Sequence, residues 1–390
     1  MAGPIVIVGG GVVGSAVAYW LTADPALDRE VVVVERDPTY RQASSALSAS
    51  AVRQQYSTPV NIAIGRFGFV FLREAADRLA VGDDRPEVGL VERGYLFLAS
   101  EAGLPVLREN HAIQLLHGAD VALLDPEALA GRFPWLSTEG LAGASLGLSG
   151  EGWFDGYGLL RALRGKALAQ GARYVTAEVT GLAVERGRVR SVRLGDGSTL
   201  DCEVVVNAAG PWAARVAAMA GVELPVRARR RAVLVLDCPE PPKACPLVID
   251  TSGVWFRPEG RHFIAGAPPR PGEDLDDLPL EPDHTLFEDV LWPALAERVP
   301  AFERLRVTGA WAGYYEYNTV DQNGIVGRHA EIANLYFGNG FSGHGIQQAP
   351  AVGRGLAELI LRGGYRTLDL SPLGLERLAR GEAVRERNVI

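Results

Sequence analysis

The sequence predicts an α/β protein in which a Rossmann-like domain, made of separate chain segments, is joined to an α+β domain with a mixed or antiparallel sheet. Short apolar runs such as Ile5–Val8 and Val204–Val206 have the length and the β-branched composition of buried parallel strands. Each run leads directly into small residues and then into a helical pattern. This strand, turn and helix order is typical of a Rossmann-like sheet.

The first strand leads into Gly9–Gly14, a stretch with the spacing GxGxxG. Gly9 permits the tight turn, Gly11 lets the backbone approach a pyrophosphate, and Gly14 lets the helix pack closely on the sheet. The N–H groups and the positive end of that helix then face the phosphates. A second apolar run ends at Glu35, near the spacing at which such folds place an acid on the adenosine ribose. The opening therefore predicts a bound dinucleotide, either NAD or FAD.

Two later turns of small residues distinguish between these cofactors. Asn207–Trp212 and Gly338–Gly345 each precede a helical pattern, as the first turn does. Three such junctions need one extended ligand. FAD is long enough to touch all three, whereas a nicotinamide cofactor is normally held by one contiguous half of a chain. The three turns together favour FAD.

Composition excludes several other classes of protein. A chain of 390 residues with 47% hydrophobic residues can bury a large core and is expected to form two domains. Its net charge of −8 argues against a nucleic-acid partner. Cys202, Cys238 and Cys245 have no CxxC spacing, so we expect neither a disulfide framework nor a metal site. No transmembrane segment and no signal peptide are expected, and the expected location is cytoplasmic.

The remaining segments follow the same reasoning from periodicity and turn residues. Short strands and loops are expected over 89–148, strand-rich sequence over 226–267 and an exposed loop over 268–282. Helices are expected over 60–79, 159–170, 213–220, 286–299 and 346–361.

Five motifs spread along the chain carry a family resemblance: Gly9–Gly14 with Glu35-Arg36, Ser44-Ser45, Asn207–Trp212, Trp311–Glu316 and Gly340–Gly345. Together they resemble the D-amino acid oxidase family of flavoproteins, nearest to the branch that contains sarcosine oxidase, dimethylglycine dehydrogenase and glycine oxidase. Three further stretches, Arg53–Ser57, Tyr317–Gly324 and His344–Pro350, resemble the FAD-dependent oxidoreductase domain proteins linked to complex I assembly. The resemblance covers nearly the whole chain.

The resemblance implies a fold of the D-amino acid oxidase and glutathione reductase type. Residues 1–85, 150–224 and 311–372 would form the discontinuous FAD-binding domain. Residues 86–149 and 225–310 would form the substrate domain, and 373–390 a C-terminal tail. The active site would lie between the two domains, over the flavin ring.

The resemblance also implies which residues hold the FAD. The implied contacts are Gly9, Gly11, Val12, Val13, Gly14, Glu35, Arg36, Ser44, Ser45, Ser50, Ala51, Val179, Ala209, Gly210, Trp212, Gly313, Gly340, Ser342, Gly343, His344, Gly345, Ile346 and Gln347. Ser44 and Ser45 would donate hydroxyl groups to the phosphates and the ribityl chain. The helix that starts near Gly345 would point its N-terminus at flavin N1 and C2=O. No cysteine lies near Trp311–Tyr317, so the FAD is expected to be non-covalent.

The chemistry implied by the resemblance is oxidation of the C–N bond of an amino acid or an N-substituted amino acid, by hydride transfer to flavin N5. The imine product would then be hydrolysed. Amino-acid substrates need a cation for their carboxylate, and Arg53 and Arg257 are the candidates. His344 would polarise the flavin or assist proton removal, or it would only form hydrogen bonds. Tyr315 and Tyr317 complete the expected wall.

Two departures from sarcosine oxidase are informative. Gln347 stands where that enzyme has a lysine for the substrate carboxylate, which argues against simple recognition of sarcosine. Phe263–Gly266 offers no lysine for oxygen activation, which favours a dehydrogenase over an oxidase. The electron acceptor could be oxygen, a quinone or an electron-transfer protein, and an oligomer is possible. Two alternatives stay open: a flavin-dependent 2-hydroxy acid or polyol dehydrogenase, and a non-catalytic flavoprotein assembly subunit.

Overall fold

The structure, a computed structural model, describes residues 3–387. Its strands are β1 Ile5–Val8, β2 Val31–Glu35, β3 Ala51–Val52, β4 Val91–Glu92, β5 Tyr95–Ala99, β6 Val121–Leu124, β7 Gly143–Gly147, β8 Gly152–Trp153, β9 Arg173–Thr176, β10 Val179–Glu185, β11 Arg188–Leu194, β12 Thr199–Asp201, β13 Val204–Asn207, β14 Val226–Asp237, β15 Leu247–Ile249, β16 Trp255–Glu259, β17 His262–Gly266, β18 Arg306–Asn318, β19 Ile325–Arg328 and β20 Leu335–Asn339. Its α-helices are α1 Val12–Thr22, α2 Pro59–Arg73, α3 Ala75–Arg78, α4 Leu104–Leu116, α5 Pro126–Arg132, α6 Gly156–Ala169, α7 Ala213–Ala218, α8 Trp292–Arg298, α9 Gly345–Arg362 and α10 Glu376–Ala379.

The first sheet has the Rossmann-like arrangement that the sequence predicts. Within the described residues its strand order is β19-β20-β13-β1-β2-β9. β1 pairs in parallel with both neighbours, because Ile5 lies opposite Val204 on one side and Val31 on the other. All four residues of β1 are buried, as expected for a central strand covered on both faces. β10, β11 and β12 form a small antiparallel sheet beside it.

Helices α1 and α9 pack against each other on one face of this sheet. Gly353 of α9 lies so close to α1 that a Cβ there would be 2.7 Å from the backbone carbon of Ala16. At the start of α1, a Cβ on Gly14 would overlap the carbonyl oxygen of Gly9. The indole of Trp20 donates to the carbonyl of Pro350 at 2.9 Å. Gly353 therefore sets the distance between α1 and α9, and Gly14 sets the distance between α1 and β1.

The second sheet is mixed, as the sequence predicts. Its order in the described part of the chain is β18-β14-β17-β16-β15-β5-β7-β6. β14 and β18 are antiparallel along their length, from Val226 opposite Asn318 to Asp237 opposite Arg306. β15 and β5 are parallel. A core of aromatic rings, including Phe256 and Phe302 at 5.1 Å between centroids, lies beneath the sheet.

Most of the predicted elements are present within a few residues of their expected bounds, but two segments differ. The stretch 89–148 contains helices α4 and α5 as well as short strands. The buried face of α4 includes the polar residues Asn110 and Gln114, so its apolar periodicity is weak in the sequence. The helix expected over 286–299 begins with a π-turn, Phe287–Leu291, before α8. The exposed loop over 268–282 is present.

The domain division drawn from the resemblance places a boundary between residues 310 and 311. That boundary falls inside β18, which pairs with β14 from end to end and so lies in the second sheet. Of the predicted C-terminal tail, 373–387 is described and includes α10, and 388–390 lies outside the described residues. None of the helices in residues 3–387 is long and apolar enough to cross a membrane.

Substituting two helix glycines tests the packing of α1 on α9. Gly353→Ala places a methyl group against Ala16, and overpacking of this kind destabilises by roughly 1–3 kcal/mol. The matched control is Gly165→Ala in α6, where a Cβ meets nothing within 4 Å and the better helix propensity of alanine stabilises by up to about 1 kcal/mol. We expect a lower Tm for the first variant and an equal or higher Tm for the second, measured by circular dichroism. Equal shifts would show that the contact is not tight.

Candidate functional site

A long cavity lies where the carboxyl ends of β1, β2 and β13 meet the second sheet. It extends from the N-terminus of α1 to the N-terminus of α9. The predicted FAD contacts line this cavity, except for Gly14 and Gly340. Segments far apart in the chain therefore meet along one continuous wall. This is the arrangement that an extended ligand requires.

Gly14 and Gly340 shape the cavity from behind its wall. Gly14 packs on the carbonyl of Gly9 and so brings α1 close to β1. Gly340 has a φ of 76°, a backbone conformation that favours glycine, and its N–H donates to the carboxyl of Glu316 at 3.1 Å. The expected contact of these two residues with the cofactor is thus indirect.

The α1 end of the cavity suits the pyrophosphate and the adenosine ribose. The first turn of α1 has no acidic side chain, and the Val12 N–H donates to Ser45 Oγ at 3.0 Å. A Cβ on Gly11 would lie 3.2 Å from the same oxygen, so glycine keeps this cradle open. The carboxylate of Glu35 accepts from the Gly10 N–H at 2.7 Å and lines the cavity. The residues present therefore fit the FAD that the sequence predicts.

Stacking and backbone contacts organise the middle of the cavity. The guanidinium of Arg36 lies 3.6 Å from the ring centroid of Trp212. Ser44 donates its hydroxyl to the carbonyl of Tyr314 at 2.6 Å. With this proton engaged, the Ser44 oxygen is placed to accept, and its donation to the phosphates or the ribityl chain stays a prediction. Ser45 accepts from α1 and keeps its own proton for a ligand.

The opposite end of the cavity is built around Arg53, which is 1% exposed. Its Nη2 lies 3.0 Å from His344 Nε2, and its guanidinium lies 4.6 Å from the ring centroid of Tyr56 and 5.2 Å from that of Phe97. Gln347 holds the segment in place by accepting from the Arg53 N–H at 2.8 Å and donating to the Tyr56 hydroxyl. Arg53 is thereby held rigidly at the cavity wall.

His344 does not have the properties of a base. Arginine can only donate, so Nε2 of His344 must accept from Arg53 and its lone pair is engaged. Burial, with Arg53 as a second cause, lowers the pKa of His344 to about 3, against the effect of a hydrogen bond to the backbone of Phe341. The imidazole is neutral at physiological pH. The interpretation of His344 as a group that removes protons near neutral pH is therefore corrected, and His344 positions Arg53 instead.

Two other predicted residues lie outside the cavity wall. Arg257 forms an ion pair with Glu259 and donates to the carbonyl of Ala49 at 2.6 Å, and it does not line the cavity. Its candidacy for the substrate carboxylate is corrected, because its side chain does not reach the cavity wall. Tyr317 is likewise absent from the lining, whereas Tyr315 is half-buried and lines it.

The structure adds two residues that sequence reasoning did not single out. Glu316 lines the cavity, and burial raises its pKa to about 8, although the N–H groups of Gly340 and Phe341 act in the opposite direction. Arg231 lies opposite Gly313 in the β14–β18 pair and also lines the cavity. The alternation of β14 could have revealed Arg231, but only if its pairing with the Gly313 strand had been known.

The fold and this cavity define a two-domain FAD-dependent oxidoreductase. The profile of the family described as FAD dependent oxidoreductase (DAO) matches residues 4–359, and the chain belongs to this family. Its cofactor is accordingly FAD. The predicted family, fold class and cofactor are confirmed.

Known proteins resemble this chain over almost all of its length. It is 44% identical to FAD-dependent oxidoreductase domain-containing protein 1 of Xenopus laevis, over 99% of this chain and 84% of that protein. It is 27% identical to glycine oxidase of Geobacillus kaustophilus, over 96% of each chain. The crystal structure of L-proline dehydrogenase from P. horikoshii superposes with a TM-score of 0.87 at 26% identity, covering 98% of this chain and 99% of that one.

The buried carboxyl of Glu316 makes stability depend on pH. A pKa raised from 4.5 to about 8 means that the folded protein holds this proton more tightly than the unfolded chain. The stabilisation is complete below about pH 4.5 and is lost as the pH rises to about 8. We expect the Tm of Glu316→Gln minus that of the wild type, measured on FAD-loaded protein, to increase between pH 5 and pH 8.5. A difference that does not change with pH would contradict the shifted pKa.

Proposed function

We propose that this protein oxidises the C–N bond of an amino acid or of an N-substituted amino acid, such as an N-methyl or other secondary amine. FAD, when bound, accepts the hydride from the carbon next to the amine, and water then hydrolyses the imine. The chain itself supplies binding, orientation and control of protonation. The observation that carries the proposal is the buried Arg53 guanidinium in the cavity wall.

Arg53 is well suited to hold a substrate carboxylate. A guanidinium presents a planar fork of donors that matches a carboxylate in two parallel hydrogen bonds. The rings of Tyr56 and Phe97 and the neutral imidazole of His344 surround it, so an arriving anion would interact in a medium of low dielectric constant. Because Gln347 and His344 fix its position, a carboxylate bound there would be oriented as well as attracted.

The same wall favours a neutral amine over an ammonium ion. Hydride leaves the carbon only when the nitrogen lone pair is available to form the imine. Burial raises the pKa of Tyr95 and of Tyr315, so both phenols stay protonated and offer no negative charge. The nearby cation of Arg53 also disfavours a second positive charge. These side chains thus support binding of the amine in its reactive form.

The comparisons support this choice of substrate class. Glycine oxidase and L-proline dehydrogenase both act, by their names, on amino acids. The absence of lysine in Phe263–Gly266 favours a dehydrogenase that passes electrons to a quinone or an electron-transfer protein. We infer that the FAD is held without a covalent bond.

The decisive test is reduction of the bound flavin under anaerobic conditions. We expect bleaching of the flavin absorbance by one or more free or N-methylated amino acids, and not by 2-hydroxy acids or polyols. If only a hydroxy acid or a polyol reduces the flavin, the proposal is wrong and the protein is a flavin-dependent 2-hydroxy acid or polyol dehydrogenase. If no small molecule reduces the flavin while the chain co-purifies with a partner protein, the enzyme proposal is wrong and an assembly role replaces it.

Arg53→Gln tests the carboxylate contact directly. Loss of a charge-assisted hydrogen bond is worth about 1.5–3 kcal/mol, so kcat/KM for the amino acid should fall by at least about tenfold. The matched control is the corresponding amine without a carboxylate, whose kcat/KM should change far less. A similar loss for both compounds would indicate that Arg53 has a structural role only.

His344→Gln distinguishes a positioning residue from a base. Glutamine can still accept a hydrogen bond from Arg53, so we expect KM to rise modestly while the pH profile of kcat/KM between pH 5 and pH 9 keeps its shape. The lowered pKa of His344, about 3, places its titration below that range. If the variant loses an inflection near pH 6–7, His344 acts as a base after all.

A further inference from the structure

A second arginine faces the same end of the cavity. Arg231 lies on β14 opposite Gly313 of β18, and its side chain is 15% exposed. Its guanidinium lies 5.0 Å from the ring centroid of Tyr315. Both Arg231 and Arg53 line the cavity, and the phenol of Tyr315 interacts electrostatically with both. The end of the cavity built around Arg53, called the catalytic end below, therefore carries two cations near Tyr315.

Arg231 is held by a carboxylate that lies outside the cavity wall. The acidic loop, defined as residues 268–282, runs along β14. Asp274 of this loop accepts from Arg231 Nη1 at 2.7 Å and from Nη2 at 3.3 Å. The side chain of Asp274 is 28% exposed, so the ion pair is partly solvated. The carboxylate of Asp274 also lies 3.4 Å from Nη1 of Arg229, so it keeps a cationic partner when a substrate carboxylate replaces it at Arg231.

The acidic loop has other anchors that do not involve Arg231. Asp276 pairs with Arg229 at 2.7 Å, and the hydroxyl of Tyr314 donates to the carbonyl of Leu278 at 2.6 Å. Arg230 donates to the carbonyls of residues 279 and 281. Asp274 can therefore release Arg231 while the loop stays in place. The exchange would be local.

We propose that Arg231 is a second anion-binding residue of the substrate site, and that it exchanges Asp274 for a second carboxylate of the substrate. This inference rests on the proposed function, because it assumes that Arg53 holds the first carboxylate. The preferred substrates are then dicarboxylic compounds, with the second carboxylate either on the amino-acid side chain or on the N-substituent. Arg231 is thus a specificity-determining residue, and Asp274 is its resting partner.

Ligand titration of the FAD-loaded protein tests the proposal without turnover. The probes are glycine and N-methylglycine, with one carboxylate, and aspartate, glutamate and iminodiacetate, with two. The dissociation constant is read from the perturbation of the flavin absorbance. We expect the dicarboxylates to bind more tightly than the monocarboxylates. Comparison of aspartate and glutamate with iminodiacetate shows whether the second carboxylate lies on the amino-acid side chain or on the N-substituent.

Three variants locate the effect. Arg231→Gln should reduce the preference for dicarboxylates by about tenfold or more, the value of one charge-assisted contact. Arg227→Gln is the matched control, because Arg227 pairs with Asp276 of the same loop but does not line the cavity, and the preference should persist. Asp274→Asn removes the competing carboxylate and should tighten dicarboxylate binding. The Asp274→Asn variant tests the proposal even if Arg231→Gln fails to fold.

The possible failures are distinguishable. If the wild type does not bind dicarboxylates more tightly than monocarboxylates, or if Arg227→Gln abolishes that preference as fully as Arg231→Gln, the second anion site is wrong. Weaker dicarboxylate binding in Asp274→Asn would also overturn it. If ligands bind with the expected preference but no amine reduces the flavin, the proposed function fails while the anion site stands.

Discussion

The close packing of α1 on both β1 and α9 is the constraint on which the rest of the structure depends. Gly14 lets α1 start directly above β1, and Gly353 lets α9 lie against α1 with almost no space between their backbones. The N-termini of both helices consequently reach the same cavity from different parts of the sequence. Helix N-termini carry unsatisfied N–H groups and partial positive charge. These two packing contacts thus fix where the two helix N-termini lie along the cavity.

Charge is distributed unevenly along this cavity. The α1 end combines N–H groups with Glu35, whereas the opposite end has Arg53 and Arg231 beside groups that burial keeps neutral. His344 stays neutral because its pKa is low, and Glu316 is largely protonated near neutral pH because its pKa is high. Burial acts on an imidazole and a carboxyl in opposite directions but leaves both uncharged. An anionic substrate would therefore meet a positive field in this region.

Sequence reasoning succeeded where a function is contained in a short contiguous pattern. Gly9–Gly14, Asn207–Trp212 and the turn before α9 each combine a strand end, small residues and a helix start, and each contributes residues to the cavity wall. Sequence reasoning was less successful where the role of a residue depends on partners that are distant in the sequence. Helix α4 was missed because its buried face includes Asn110, and Arg257 was chosen although Glu259 and the Ala49 carbonyl engage it.

The sequence by itself determined the class of fold, the family and the cofactor, because glycine spacing and apolar runs act locally on the backbone. Only the tertiary structure decided the chemical state of the side chains at the catalytic end. Whether His344 is a base depends on Arg53, which is 291 residues away in the chain, and the environment of Arg231 depends on β18 and the acidic loop. Protonation and charge pairing are set by burial and by neighbours in space, and neither can be determined from one segment alone.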